Sequence, residues 1–205
     1  MKYKILSIGV VLSASSLILL ACNNDSGSEA GEDTNTHHPD TVGTGDRMSD
    51  TASVPLASSA VVQISGTYQD TLVTGAAKFN AADGKVSMEL EITVPAKAGK
   101  MVAVHLHEHG DCGDNGNLSH GHWNPAGEDH GKWGAAPFHR GDIGNVKLDG
   151  KGKGILKMET DLWTLGGSPD KNILGKALIV HGGVDDYKTQ PTGNAGSRIG
   201  CGVIQ

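Results

Sequence analysis

From Lys85 to Val94 the chain alternates without a break. Val86, Met88, Leu90, Ile92 and Val94 are apolar, and Lys85, Ser87, Glu89, Glu91 and Thr93 between them are polar. Successive side chains of an extended strand point to opposite faces, so the run fits a strand with one face on a core and the other in water. Sheets solvated on one face are characteristically antiparallel, since parallel sheets are covered on both. Comparable stretches at 60–66, 74–79, 100–107, 143–148, 154–159, 176–181 and 198–204 predict seven or eight strands. Asp83-Gly84 and Asp149-Gly150 supply turn chemistry between neighbours. No stretch carries a convincing amphipathic helix. The expected class is therefore all-β, an antiparallel sandwich or barrel.

That domain does not begin at the first residue. Lys2 and Lys4 precede an apolar run that ends in Leu19-Leu20-Ala21-Cys22, the pattern of a secretory signal at 1–21. Its last four residues resemble a bacterial lipobox, which would make Cys22 a lipid-modified anchor to the membrane. An uncleaved membrane span is the alternative, disfavoured because the run is shorter than the roughly 20 residues that cross a bilayer. On either reading the domain is exported and tethered, a cell-envelope lipoprotein on the first.

Residues 22–56 read as a flexible acidic tether. From Asn23 to Val54 there are seven acidic residues against one Arg, with few apolar side chains, too little apolar area to offset the entropy of ordering. As a coil it would reach about 30 Å. His37 and His38 lie on it as a solvated pair with no assigned role. Residues 57–205 are left as one domain, large enough for a single core. A net charge of -6 and the lack of a basic patch with interleaved aromatics exclude nucleic acid as a partner.

The chemistry concentrates after residue 104. His105 and His107 stand at i and i+2 of a predicted strand, so both imidazoles project from one face and can close on one metal ion. Val102, Val104 and Leu106 take the opposite, core-facing side, so the site is expected on the outside of the barrel. The connection from Gly110 to Arg140 is too long for a turn and is expected to cover it. His122, His130, His139, Asp142 and His181 follow at separations a loop and a later strand can fold back. His109 and His120 read as exposed or supporting residues, and Trp123, Trp133 and Trp163 as packing.

In order, His105-x-His107, His122-Trp123-Asn124-Pro125, His130-Gly131, the run from His139 to Asn145, His181 and the run from Gly193 to Ile204 resemble a copper/zinc superoxide dismutase of the bacterial lipoprotein type. The resemblance implies an eight-stranded antiparallel Greek-key β-barrel, an immunoglobulin-like sandwich with long metal-binding and active-site loops. It implies copper on His105, His107, His122 and His181, and zinc on His122, His130, His139 and Asp142, with His122 bridging. Asp185 would link His105 to His130, and Arg198 would stand beside the open copper position to attract and orient a small anion. A surface ion pair is the alternative for Arg198. Thr192 matches a residue at the channel mouth.

The implied reaction is disproportionation of superoxide to dioxygen and hydrogen peroxide by alternating reduction and oxidation of copper, with His122 passing a proton, protecting the envelope. A non-catalytic copper- and zinc-binding envelope lipoprotein is the alternative. The resemblance also makes Cys112 and Cys201 a disulfide, where a thiolate metal site would need closer spacing. The segment from Asp186 to Pro191 is shorter than the charged loop of eukaryotic members. Anion attraction therefore falls to Arg198, Lys132 and Lys188. The resemblance raises a homodimer, but bacterial and eukaryotic members share no common dimer surface, so no interface residues carry over.

Overall fold

The computed structural model describes residues 54–205. The signal, Cys22, His37 and His38 and nearly all of the tether lie outside them. Eight strands follow in chain order: β1 (Ser59–Gly66), β2 (Thr74–Ala82), β3 (Lys85–Thr93), β4 (Met101–His107), β5 (Gly144–Lys147), β6 (Lys153–Thr160), β7 (Ala177–His181) and β8 (Arg198–Val203). All pairings are antiparallel, in the order β5-β4-β7-β8-β1-β2-β3-β6. β5 and β6, at the two ends of that order, join through one turn, so the sheet curls into a nearly closed barrel. Among the described residues the only helical segments are two single 3-10 turns.

The alternation from Lys85 does what it dictates. Val86, Met88, Leu90 and Ile92 are buried and their neighbours face out. Outward, Lys157 meets Glu89 and Lys153 meets Glu91 across β3 and β6, exposed pairs worth little individually. β2 runs three residues past the expected end because Asn80, Ala81 and Ala82 pair with Ser87, Val86 and Lys85 down to the Asp83-Gly84 turn. Both residues of that turn have positive φ, as a tight hairpin requires. The second turn is longer. The left-handed residue is Gly152 rather than Gly150, and Asp149 Oδ1 accepts the N–H groups of Lys151 and Lys153 at 2.8 Å each.

The core lies inside the barrel, around Val62, Phe79, Leu90, Val104, Leu106 and Leu178. Trp163 caps it, fully buried, edge-on to Phe79 and Trp133 and donating its indole N–H to Arg140 O at 2.9 Å. A smaller apolar layer lies on the other side of β7 and β8, where Ala177, Ile179 and Cys201 meet Cys112. β4 is thus buried on both faces past Met101.

Candidate metal centre

The two faces of β4 explain where the histidines go. Val104 and Leu106 enter the core, so the pleat sends His105 and His107 outward, and both are fully buried under the connection that follows. β7 pairs with β4 in a register that sets Val180 opposite Val104, and β7 ends in His181 on the same outer face. His122 returns to β4 through backbone pairing: Trp123 N–H donates to Leu106 O at 2.8 Å, and Glu108 N–H to Gly121 O at 3.1 Å. Trp123 itself turns into the core.

Two groups of donors result. In one, His105, His107, His122 and His181 bring ring nitrogens within 4.8 Å of one another; in the other, His122, His130, His139 and Asp142 do the same. His122 belongs to both. Its Nδ1 is 2.8 Å from Asp142 Oδ1, and its Nε2 has no hydrogen-bond partner. His105 Nδ1, His130 Nδ1 and His139 Nδ1 are likewise buried and unpartnered. Buried polar atoms are normally satisfied, so four orphaned nitrogens gathered in two close groups of donors are what ion ligands look like. His130 Nδ1 and His139 Nδ1 approach Asp142 oxygens at 3.0 and 3.2 Å without hydrogen-bond geometry, as donors around one ion would. Four imidazoles suit copper, and three nitrogens with one carboxylate oxygen suit tetrahedral zinc.

The opposite nitrogen of most rings is held. Asp185 Oδ2 lies 2.9 Å from His105 Nε2 and its Oδ1 2.9 Å from His130 Nε2. His107 Nδ1 donates to His120 O at 2.8 Å, and His181 Nδ1 to Gly196 O at 3.1 Å. Such outer contacts fix tautomer and ring direction. Three of their supports are invisible from the spacing of charged residues. Asn145 clamps Asp185 by donating to its carbonyl at 2.8 Å and accepting its N–H at 2.9 Å. Gln190 does the same for His130, at 2.9 and 2.8 Å. Gly193, at φ +66, crosses where a Cβ would overlap Asp185 Oδ1.

A family model described as copper/zinc superoxide dismutase (SODC) matches residues 73–204. The chain belongs to this family. It is 41% identical over 109 residues to superoxide dismutase (Cu-Zn) 2 of Aquifex aeolicus, covering 51% of this chain and 63% of that relative. Superoxide dismutase (Cu-Zn) 1 of the same organism is 35% identical over 136 residues, 64% of this chain and 79% of its own. The human copper chaperone for superoxide dismutase is 33% identical over 124 residues, 56% and 42%. Among solved structures, the clock protein EA4 superposes with a TM-score of 0.63 at 34% identity, over 73% of this chain and 95% of that one. The matched segment thus spans under two thirds of the first Aquifex relative and of the human chaperone.

The electrostatics suit copper/zinc superoxide dismutase ligands. Burial depresses the basicity of His107, aided by the neighbouring His122 and His181, and pushes His181 down to about 3. His122 is lowered to about 4, burial outweighing its bond to Asp142. Neutral imidazoles have lone pairs free for metal. His130 differs: burial lowers it, but the carboxylates of Asp142 and Asp185 prevail and raise it to about 9. Both aspartates are held ionised despite burial by the histidines around them.

Arg198 opens β8, opposite His181. Its Nη1 donates to Gly116 O at 2.7 Å, Asn117 O at 3.1 Å and Ser119 Oγ at 3.2 Å, and its Nη2 to His120 O at 2.6 Å. Ser119 Oγ is also 3.2 Å from His107 Nδ1, so the guanidinium lies one hydroxyl from the four-imidazole group. No carboxylate pairs with it among the described residues, which removes the surface-ion-pair reading. The segment that holds Arg198 is tied down by the Cys112–Cys201 disulfide, which links residues 89 apart. Thr192 lies beside His122 and His139 in a surface cleft, and Lys132 and Lys188 are exposed. His109 and His120 are exposed too, and they face each other.

Proposed function

We propose that this chain disproportionates superoxide to dioxygen and hydrogen peroxide. The observation that carries the proposal is His122, shared between two complete buried donor sets with Arg198 fixed beside one of them. His105, His107, His122 and His181 are the copper ligands in this reading, and His122, His130, His139 and Asp142 the zinc ligands. Bound there, copper would supply a one-electron couple for oxidising one superoxide and reducing the next, and zinc would be a fixed charge without redox chemistry.

The chain's own residues do the rest. Arg198, its fork held by three carbonyls and a hydroxyl, draws and orients a small anion in a protein of net charge -6. His122 can take a proton at Nε2 and release it to the product, while its Nδ1 stays anchored toward Asp142. Asp185 keeps His105 and His130 in single tautomers. Burial of the ligand set keeps bulk water from the donors.

The likeness to a copper chaperone supports a second reading, a non-catalytic metal-binding lipoprotein. Arg198 favours the enzyme, because a carrier has no use for an anion-orienting guanidinium. The amino-terminal pattern supports export and a lipid anchor at Cys22, where the enzyme would meet superoxide at the cell envelope. The test is superoxide decay by the full chain loaded with copper and zinc. Catalysis that persists in a chelator sufficient to silence free copper is expected, well above that of the same chain without metals; a rate no higher than that of the chain without metals contradicts the enzyme reading and leaves the carrier.

A further inference from the structure

Six of the ten histidines serve the paired metal groups. Two more, His109 and His120, converge at the protein surface with Glu108, and the ligand atoms of the three lie within 4.8 Å of one another. Their rings stand 4.4 Å apart, edge to face. They are not side chains that meet by drifting. Glu108 N–H donates to Gly121 O and His109 N–H to Ser119 O, each at 3.1 Å, so two backbone hydrogen bonds hold residues 108 and 109 against the segment that carries His120.

His120 has φ 61 and ψ -145, a region that glycine enters freely and that costs a residue with a Cβ about 1–3 kcal/mol. Glycine would meet the backbone demand better, so the imidazole stands there at a cost. The main chain there is already committed: His120 O accepts from both His107 Nδ1 and Arg198 Nη2. What stands free is the side chain.

We propose that Glu108, His109 and His120 form a third metal site, exposed and separate from the buried pair, for a divalent transition metal. Two imidazoles and a carboxylate reject magnesium and calcium, which need an oxygen shell, and favour copper(II) over zinc by the general affinity order. With three protein donors in open solvent, water completes the shell and the ion exchanges readily. The residue that would hold the ion also carries the carbonyl that supports His107 and Arg198.

The test uses the full chain with both buried groups already loaded. Copper(II) is titrated against a chelator of known affinity, with bound copper counted by equilibrium dialysis and its ligand nitrogens read by electron paramagnetic resonance. One further copper(II) per chain with nitrogen ligands is expected in the wild type and in the His37→Ala/His38→Ala variant. In His109→Gln and in His120→Gly its affinity should fall by at least the roughly 10- to 100-fold typical of losing an outer partner. His120→Gly relieves the backbone, so its melting temperature should not drop, and His109→Gln leaves the turn untouched. Metal content of the buried groups, measured in parallel, keeps this result independent of the dismutase reading. No further equivalent in the wild type, its survival in both site variants, or its loss with His37 and His38 would overturn the proposal.

Discussion

Asp185 Oδ2 lies 2.9 Å from His105 Nε2, both side chains fully buried. The other oxygen reaches His130, so one carboxylate orients a ligand of each group. Asp185→Asn preserves the shape but turns one acceptor into a donor. Retention of both metals should weaken by about 10- to 100-fold, as for other outer-shell partners, although no ligand is removed. Chelator competition checks this, and unchanged affinity for both metals would contradict the role.

Gly193→Ala should act on the same link from outside it. The added methyl overlaps Asp185 Oδ1 and must hold a positive φ. Metal retention is expected to fall as in Asp185→Asn, with added loss of stability of roughly 1 kcal/mol or more from the backbone. Ala at 193 with wild-type melting and metal content would show that the loop gives way freely.

Arg198→Gln should lower the superoxide rate roughly tenfold through lost attraction and flatten its dependence on ionic strength. Metal content should stay at the wild-type level. A rate and salt profile matching the wild type would remove the arginine from the account.

Acid and base should destabilise the metal-free chain by different residues. His122, at about 4, and His181, at about 3, bind protons less readily folded than unfolded, where histidine titrates near 6.5. Their share of stability is present above pH 6.5 and is lost as pH falls toward 4 and 3. His130, at about 9, works oppositely: its share is present below 6.5 and is lost as pH rises to 9. The melting temperature should therefore peak near pH 6.5. A curve still rising from pH 7 to 9 contradicts the assignment of His130, and one flat from 6.5 to 4 that of the others.

Cys201→Ser should cost about 4 to 5 kcal/mol of stability by the loop-closure estimate for 89 residues. It also frees the stretch whose carbonyls hold Arg198. Turnover should drop more than metal content does, which paired assays on the reduced protein would show; equal losses would mean that the bond only stabilises the fold.

The barrel is largely legible in the sequence because alternation such as Val86 to Val94 has one structural solution. It fails locally where the pattern thins, as in the alanine-rich end of β2, which only its pairing with β3 defines. His105 and His107 announce a shared face by spacing alone, whereas Asp185, Arg198 and the pairing of the cysteines come through family resemblance. Asn145 and Gln190 give no local sign, since each clamps a backbone 40 or 60 residues away. The convergence of His109 with His120 is hidden for the same reason: it depends on backbone pairing across a loop.

Seven side chains forming two neighbouring shells joined through His122 can be seen by anomalous diffraction from crystals of the metal-loaded chain, recorded at the copper and zinc absorption edges. Copper is expected among His105 Nδ1, His107 Nε2, His122 Nε2 and His181 Nε2, and zinc among His122 Nδ1, His130 Nδ1, His139 Nδ1 and Asp142. Either ion bound elsewhere, or His122 touching neither, would rule out the shared-ligand centre.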